Sequence, residues 1–372
     1  MNKKALLVTL AGSLTVLSCP LSASTPATSA VAREAAIADA NLMPDLSRYT
    51  AENFEWRDTA RNRSVPARLY LPTNIASSQQ QIPLVVFSHG IGGSREGYTY
   101  LGRNFAANGY ASLHLQHVGS DRQLWFGNPF SLLSRLSGAA QDSEAIDRVR
   151  DLSFALDQLL ASPLGGQIDR QRIIAAGHSY GANTSMLAVG ATVKRDGKLI
   201  ALRDARISAA ILLSAPPFYG TGDAKGIVGS IDVPTLHITA TDDDISIPGY
   251  RSGVADRVEI FQAIGAARPD TLRASKVLAV FRGGSHSIFT DRSATGGIEL
   301  NPRVKAATRD LTLAFLRSLD VNDAESGAGV DALSAWRQQY APLLASFELA
   351  GQPVATPPAS VSTPASVPAA RN

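Results

Sequence analysis

The chain alternates short apolar runs with stretches of helical period, and this alternation sets the reading of its fold. Ile82-Pro83-Leu84-Val85-Val86-Phe87-Ser88 is apolar almost without interruption, the pattern of a strand covered on both faces. Tyr110 to Leu115, Ile173 to Ala176, Ile207 to Ser214, Pro234 to Thr239 and Val277 to Phe281 repeat it. Between them, Asp142 to Leu160 carries Ile146, Val149, Leu152, Leu156 and Leu159 on one helical face. Tyr98 to Asn108 reads as a helix stopped by Gly109, and Pro302 to Leu319 as a final amphipathic helix. Ahead of all these, Asn53 to Asp58 and Ser64 to Leu71 read as an antiparallel hairpin joined by the polar Arg61-Asn62-Arg63. Gln116 to Ser137 is a long irregular segment that either walls a pocket or packs on the body of the domain. Val330 to Leu349 reads as one extra helix with Leu333, Trp336, Tyr340 and Leu344 on its apolar side. A hairpin followed by alternating strands and helices predicts one mostly parallel, twisted sheet between helices.

The two ends follow other patterns. Basic Met1-Asn2-Lys3-Lys4, the apolar Ala5 to Leu17 and the small residues beyond have the three parts of an export signal, too short to span a bilayer. Cleavage between Ala23 and Ala30 is favoured. The rival is a lipoprotein signal, Val16-Leu17-Ser18-Cys19, in which Cys19 carries lipid, although Leu17 is larger than such signals prefer. Residues 1–30 thus read as signal and leader, 31–48 as flexible leader, 49–320 as the folded domain, 321–350 as a helical extension and 351–372 as a disordered Pro/Ala/Ser tail. The expected location is secreted or periplasmic.

Composition narrows the function. With 45% hydrophobic residues over 372 positions, the chain can bury one large core. Its net charge of +3 comes without any long run of Lys or Arg, so nucleic-acid binding has no support. The single cysteine excludes an internal disulfide framework. His114 and His117 are spaced as two metal ligands might be on some scaffolds, but no second ligand cluster lies near them in sequence, and no metal or cofactor is expected.

The chemistry gathers at Gly177-His178-Ser179-Tyr180-Gly181, which follows a buried strand and opens a helix. Small neighbours let a strand turn at once into a helix and leave the middle serine exposed at the sheet edge. A serine hydroxyl needs a general base, and the base an orienting carboxylate. Downstream, Asp242-Asp243-Asp244 and His286 each follow a strand and fall at the same edge, in the order Ser, Asp, His. The residues alone do not separate the three carboxylates. His89-Gly90-Ile91-Gly92-Gly93 follows the first buried strand, and its Ile91 N–H pairs with that of Tyr180 as an oxyanion hole. His89 orients that loop, His178 occupies a variable position of the elbow, and His237 reads as a hydrogen-bonded core residue.

The segments F-S-H-G-I-G-G-S, G-H-S-Y-G-A, P-T-L-H-I-T-A-T-D-D-D and G-G-S-H-S-I-F together resemble the α/β-hydrolase superfamily. More narrowly they resemble bacterial serine esterases related to platelet-activating-factor acetylhydrolase and dienelactone hydrolase. The resemblance covers Tyr49 to Leu319. It implies an α/β-hydrolase fold: a mostly parallel, twisted sheet of eight strands, helices on both faces and an antiparallel N-terminal edge. In that family the acid lies three residues after the small residue closing the strand, which selects Asp243, with Asp244 as its rival. True dienelactone hydrolases use a cysteine nucleophile, and Cys19 cannot serve, so the chain departs from them toward serine chemistry.

The expectation is therefore a secreted serine ester hydrolase with Ser179, Asp243 and His286 as triad. It acts on small-molecule or lipid esters of short to medium acyl chain. Trp125, Phe126, Phe218, Tyr219, Ile245 and Phe289 are the candidates for an apolar substrate pocket. The alternatives are a polyester or lipid depolymerase and a non-catalytic binding relative. Natural substrate and oligomeric state are not legible in the sequence.

Overall fold

Successive side chains of the strand Ile82–Ser88 enter two different cores: Leu84 and Val86 pack on one side of the sheet, Val85 and Phe87 on the other. A strand covered on both faces has no polar face, which is why this stretch is apolar. The strand Ile168–His178 divides in the same way, with Ile173 and Ala175 on one side and Ile174 and Ala176 on the other.

The computed structural model describes residues 45–73, 75, 80–218, 223–247, 250–265, 276–293, 295, 297, 299–320, 328–349 and 352–353. The signal and leader, Cys19 and most of the tail fall outside these residues. In chain order, β1 (Tyr49–Asp58) and β2 (Arg63–Pro72) form the N-terminal hairpin. β3 (Ile82–Ser88), α1 (Thr99–Ala107), β4 (Ala111–Leu115), α2 (Leu132–Ala139), α3 (Asp142–Ala161), β5 (Ile168–His178) and α4 (Tyr180–Val189) follow. A small hairpin of β6 (Thr192–Arg195) and β7 (Lys198–Ala201) leads to β8 (Ile207–Leu213), α5 (Ala224–Val228) and β9 (Thr235–Asp242). Next, β10 (Ile245–Ile247) pairs with β11 (Tyr250–Ser252), and α6 (Val254–Ala263) and β12 (Lys276–Ser285) follow. Last come α7 (Leu300–Ser318), α8 (Ala328–Tyr340), β13 (Leu344–Leu349) and β14 (Gln352–Pro353).

The main sheet runs β1-β2-β4-β3-β5-β8-β9-β12-β13-β14. The six strands from β4 to β12 in that order are parallel, so the loops after β3, β5, β9 and β12 leave from one edge. Side chains of α3, α4, α5 and α6 fill one core and those of α1, α7 and α8 the other. The Arg61-Asn62-Arg63 connector is more than a polar joint. Arg63 Nε–H donates to Asp151 Oδ1 at 2.9 Å and its Nη2–H to Glu144 Oε1 at 3.1 Å, which ties the hairpin to α3.

The mostly parallel sheet between helices is as expected, but it has ten strands rather than eight. The difference lies mainly at the C-terminus. The helix expected over Val330–Leu349 stops at Tyr340, because Pro342 lacks the N–H a helix needs, and the chain turns into β13. β13 runs antiparallel to β12, with Leu349 opposite Val277 and Leu344 opposite Phe281. The helical spacing of Leu333, Trp336, Tyr340 and Leu344 therefore extends one turn too far. The segment Gln116–Ser137 contains short 3-10 turns at Arg122–Trp125 and Pro129–Ser131 and the start of α2. Among the described residues no helix is long and apolar enough to cross a membrane.

Candidate active site

β5 passes into α4 through a single residue, Ser179, whose φ of 55° and ψ of −123° are strained for a side chain of L configuration. The turn closes only because its neighbours lack side chains. A Cβ on Gly177 would sit 2.2 Å from the Gly181 carbonyl oxygen, and one on Gly181 only 1.9 Å from that of Ser88. Gly181→Ala is therefore expected to cost more than about 3 kcal/mol and to empty the soluble fraction. Gly138→Ala, where an added Cβ meets nothing within 4 Å, should leave yield and thermal melt unchanged. Equal melts for the two variants would contradict this account of the elbow.

β9 and β12 pair in parallel and end side by side, which brings their loops together over Ser179. The Ser179 Oγ–H donates to His286 Nε2 at 2.8 Å, and the His286 Nδ1–H donates to Asp243 Oδ1 at 2.6 Å. Of the three adjacent carboxylates, Asp242 and Asp244 are exposed and Asp243 is buried. Its second oxygen accepts from Thr239 Oγ1–H at 2.7 Å and lies 3.2 Å from Nε of the buried Arg257. Burial disfavours the charged carboxylate. The His286 hydrogen bond, with the charges of His286 and Arg257, outweighs it and holds Asp243 well below the usual carboxylate range.

At the same edge, β3 runs into His89-Gly90-Ile91-Gly92-Gly93. Gly92, at φ 72°, donates its N–H to the Ser120 carbonyl at 2.8 Å, and Gly93 donates to the Gly90 carbonyl at 3.0 Å. Among the described residues the Ile91 and Tyr180 amides have no protein acceptor. Both are free to receive a ligand oxygen.

Residues 58–122 match the model of the family described as platelet-activating factor acetylhydrolase, isoform II. The match holds β2, β3, the glycine loop, α1 and β4, and ends before Ser179. No curated protein matches the chain. The fold is that of an α/β hydrolase. The segments carrying His89–Gly93, Ser179, Asp243 and His286 all leave the carboxyl ends of parallel strands, where ligands bind in open sheets.

Behind the glycine loop lies a buried polar group, of which the sequence singles out only His89, as orienting the loop. The His89 Nδ1–H donates to the Gly90 carbonyl at 2.6 Å, and the His117 N–H donates to His89 Nε2 at 3.1 Å. A trans peptide points its C=O and N–H in opposite directions, so holding the Gly90 carbonyl inward turns the Ile91 amide outward. Fully buried Arg148 donates to the His89 carbonyl, to Ser120 Oγ at 2.7 Å and to Thr184 Oγ1 at 2.9 Å. His117 donates from Nδ1 to Asp151 at 3.1 Å and accepts from Ser88 Oγ–H at 3.0 Å. His114 bonds Gly97 O and Ser112 Oγ instead, so the two rings face different partners. Among the described residues no group of three His, Cys, Asp or Glu could hold a metal ion. Glu144, Arg148 and Asp151 recur at helical spacing beside the apolar stripe of α3, and that pattern was the available signal.

The six pocket candidates divide. Trp125 lies against Gly92, donates its Nε1–H to the Gly92 carbonyl at 2.8 Å and is 48% exposed. Phe126 is exposed beside it, and Ile245 stands half-buried two residues after Asp243. Phe218 instead packs against the core on the α3 and α4 side. Phe289 is corrected from pocket wall to core: it is fully buried against Phe281 and the His178 ring, where it fills space beneath the site. Tyr219 lies outside the described residues.

Proposed function

We propose that this chain is a serine ester hydrolase acting through an acyl-enzyme on short to medium acyl esters, acetyl esters among them. The observation that carries the reading is the unbroken hydrogen-bond run from Ser179 Oγ through His286 to Asp243. Ser179 Oγ bonds to the ester carbonyl carbon as its proton passes to His286 Nε2, while Asp243 holds the Nδ1 tautomer and stabilises the imidazolium. The carbonyl oxygen, now negative, accepts from the Ile91 and Tyr180 amides. His286 returns the proton to the leaving alcohol oxygen as the C–O bond breaks. Water then repeats the sequence on the acyl-enzyme, and Ser179 is released. Acetyl specificity is supported by the family matched over residues 58–122, whose description names an acetylhydrolase. Residues 49–320 form the catalytic domain in this reading, and the N-terminal 30 residues direct export.

The direct test is covalent labelling by a fluorophosphonate. The native chain should take it up and the Ser179→Ala chain should not; an unlabelled native chain refutes the proposal. Asp243→Asn is expected to lower kcat about 10,000-fold with KM little changed, because the amide cannot hold the required tautomer. Asp244→Asn should leave kcat within about twofold, since an exposed carboxylate away from the ring contributes little. Comparable losses from both would place the acid elsewhere.

A second reading, a depolymerase of polyesters or lipids, is favoured by Trp125, Phe126, Phe130 and Leu133, all exposed on the segment that borders Gly92. Rates on soluble acetyl esters and on polymer films, measured side by side, separate the two.

A further inference from the structure

We infer that the buried pair Tyr98 and His178 is a positioning device that ties nucleophile, base and oxyanion loop into one unit, with His178 setting where His286 stands. The inference rests on the ester-hydrolase reading.

His178 immediately precedes Ser179 and is buried, its ring centroid 4.9 Å from that of His286. Its Nε2 lies 2.9 Å from the backbone carbonyl oxygen of His286. A carbonyl only accepts, so Nε2 carries the proton and Nδ1 is left as an acceptor. Tyr98 fills that role: its Oη lies 2.9 Å from His178 Nδ1 and so donates to it, while the same oxygen accepts the Gly90 N–H at a longer 3.4 Å. One chain of hydrogen bonds thus runs from the oxyanion loop, through Tyr98 and His178, to the backbone of the base.

The consequence for His286 is geometric. Asp243 holds its ring at Nδ1, and His178 holds its carbonyl, so both ends of the residue are fixed. The dipeptide His178-Ser179 then carries both the attacking hydroxyl and the tether of its base. Their separation is set by covalent geometry rather than by a mobile loop. Neutral His178 does not compete for the proton that His286 must carry, since burial first and the His286 charge next hold it down to about 3.

Tyr98 is itself held in an unusual way. It caps α1 with φ 57° and ψ 36°, a left-handed conformation that a bulky residue adopts only when its surroundings demand it. The next two residues bind the segment after His286: Thr99 N–H donates to the Asp291 carboxylate at 3.0 Å, and Tyr100 O–H to the Phe289 carbonyl at 3.1 Å. The start of α1 is therefore a platform for the His286 loop, with Tyr98 aimed at His178. The matched family stretch, residues 58–122, includes Tyr98 but not its partner, which lies 80 positions along the chain.

The experiment compares His178→Met, His178→Gln and Tyr98→Phe on p-nitrophenyl acetate, with thermal melts to establish folding. Methionine fills the volume without an N–H, and glutamine restores a donor at similar reach. His178→Met should lower kcat ~100-fold with KM within ~twofold, as expected when a reacting group is misplaced by about an ångström. His178→Gln should recover most of that loss, and Tyr98→Phe should cost ~10-fold. The low-field proton resonance of the His286 Nδ1–H should sharpen in the native chain and broaden in the Met variant. A folded Met variant with native kcat and native resonance overturns the inference, as does a Gln variant no better than Met. Should the Met variant not fold, Tyr98→Phe decides alone, and native kcat there overturns it. A native chain that neither hydrolyses the ester nor takes a fluorophosphonate fails the underlying reading instead, and the resonance still reports on the tether.

Discussion

Replacing Ser179 with alanine is expected to lower kcat for p-nitrophenyl acetate by about 10,000-fold or more while the fold survives. The size follows from covalent catalysis: without Oγ there is no acyl-enzyme, and only the oxyanion amides remain to favour attack by water. In the proposed mechanism those amides belong to Ile91 and Tyr180, which the substitution leaves in place, so a rate above the uncatalysed background should persist. The fold should survive for a local reason. The Ser179 hydroxyl is bonded to His286 Nε2, on a side chain that keeps 20% of its surface, so water can replace the lost partner and no buried acceptor is orphaned. Backbone strain at φ 55° is carried by either residue. The measurement is steady-state kinetics beside a thermal melt. An alanine variant that folds and keeps more than about 1% of the native rate would remove Ser179 from the chemistry.

What the sequence made legible is what it encodes locally. Apolar β3 and β5 announced a sheet covered on both faces, and the glycines at 177 and 181 announced the elbow through a steric necessity now visible in their close backbone neighbours. The order Ser, Asp, His placed three side chains at one edge. What stayed hidden depends on contacts across the chain. His178 looked free to vary because its partners, Tyr98 and the His286 carbonyl, are 80 and 108 positions away. Arg148 disappeared among the charges of α3, because helical spacing does not reveal that the loop after β3 will lie over it. Phe289 carried the right chemistry for a pocket, but burial is decided by packing and not by residue type. Pro342 did mark the end of α8, and the apolar spacing around it was the stronger and misleading cue.

One property of the buried polar residues bears on the whole molecule: several of them are histidines enclosed without a positive charge of their own. His114, His178 and His237 are each held down to about 3, mainly by burial. Burial, with the Arg148 charge next, pushes His89 and His117 well below the usual range as well. Burial therefore holds five of the six histidines in the neutral form at neutral pH.

Stability is accordingly expected to collapse on mild acidification. An unfolded histidine takes up a proton near pH 6.5, whereas the folded chain refuses it down to about 3 at His114, His178 and His237. The folded values are depressed, so the contribution is whole above about 6.5 and is lost progressively as the pH falls toward the folded values. At pH 5 each such group has forfeited about 2 kcal/mol, and three together about 6 kcal/mol, a large part of the 5 to 15 kcal/mol that holds a typical domain. Asp151 and Glu144 act the other way, since burial raises both and the folded state binds their protons more readily; that offset begins only in the carboxylate range. The measurement is the urea midpoint at pH 7.5 and at pH 5, with recovery on return to neutral pH. His237 supplies the decisive control, because it sits within β9 against Phe261 and contacts none of the proposed catalytic groups. His237→Leu should make the stability of the chain less steep in pH by about one proton. A midpoint that does not move between the two pH values would mean that these rings accept protons without unfolding, and that the enclosure inferred around them is wrong.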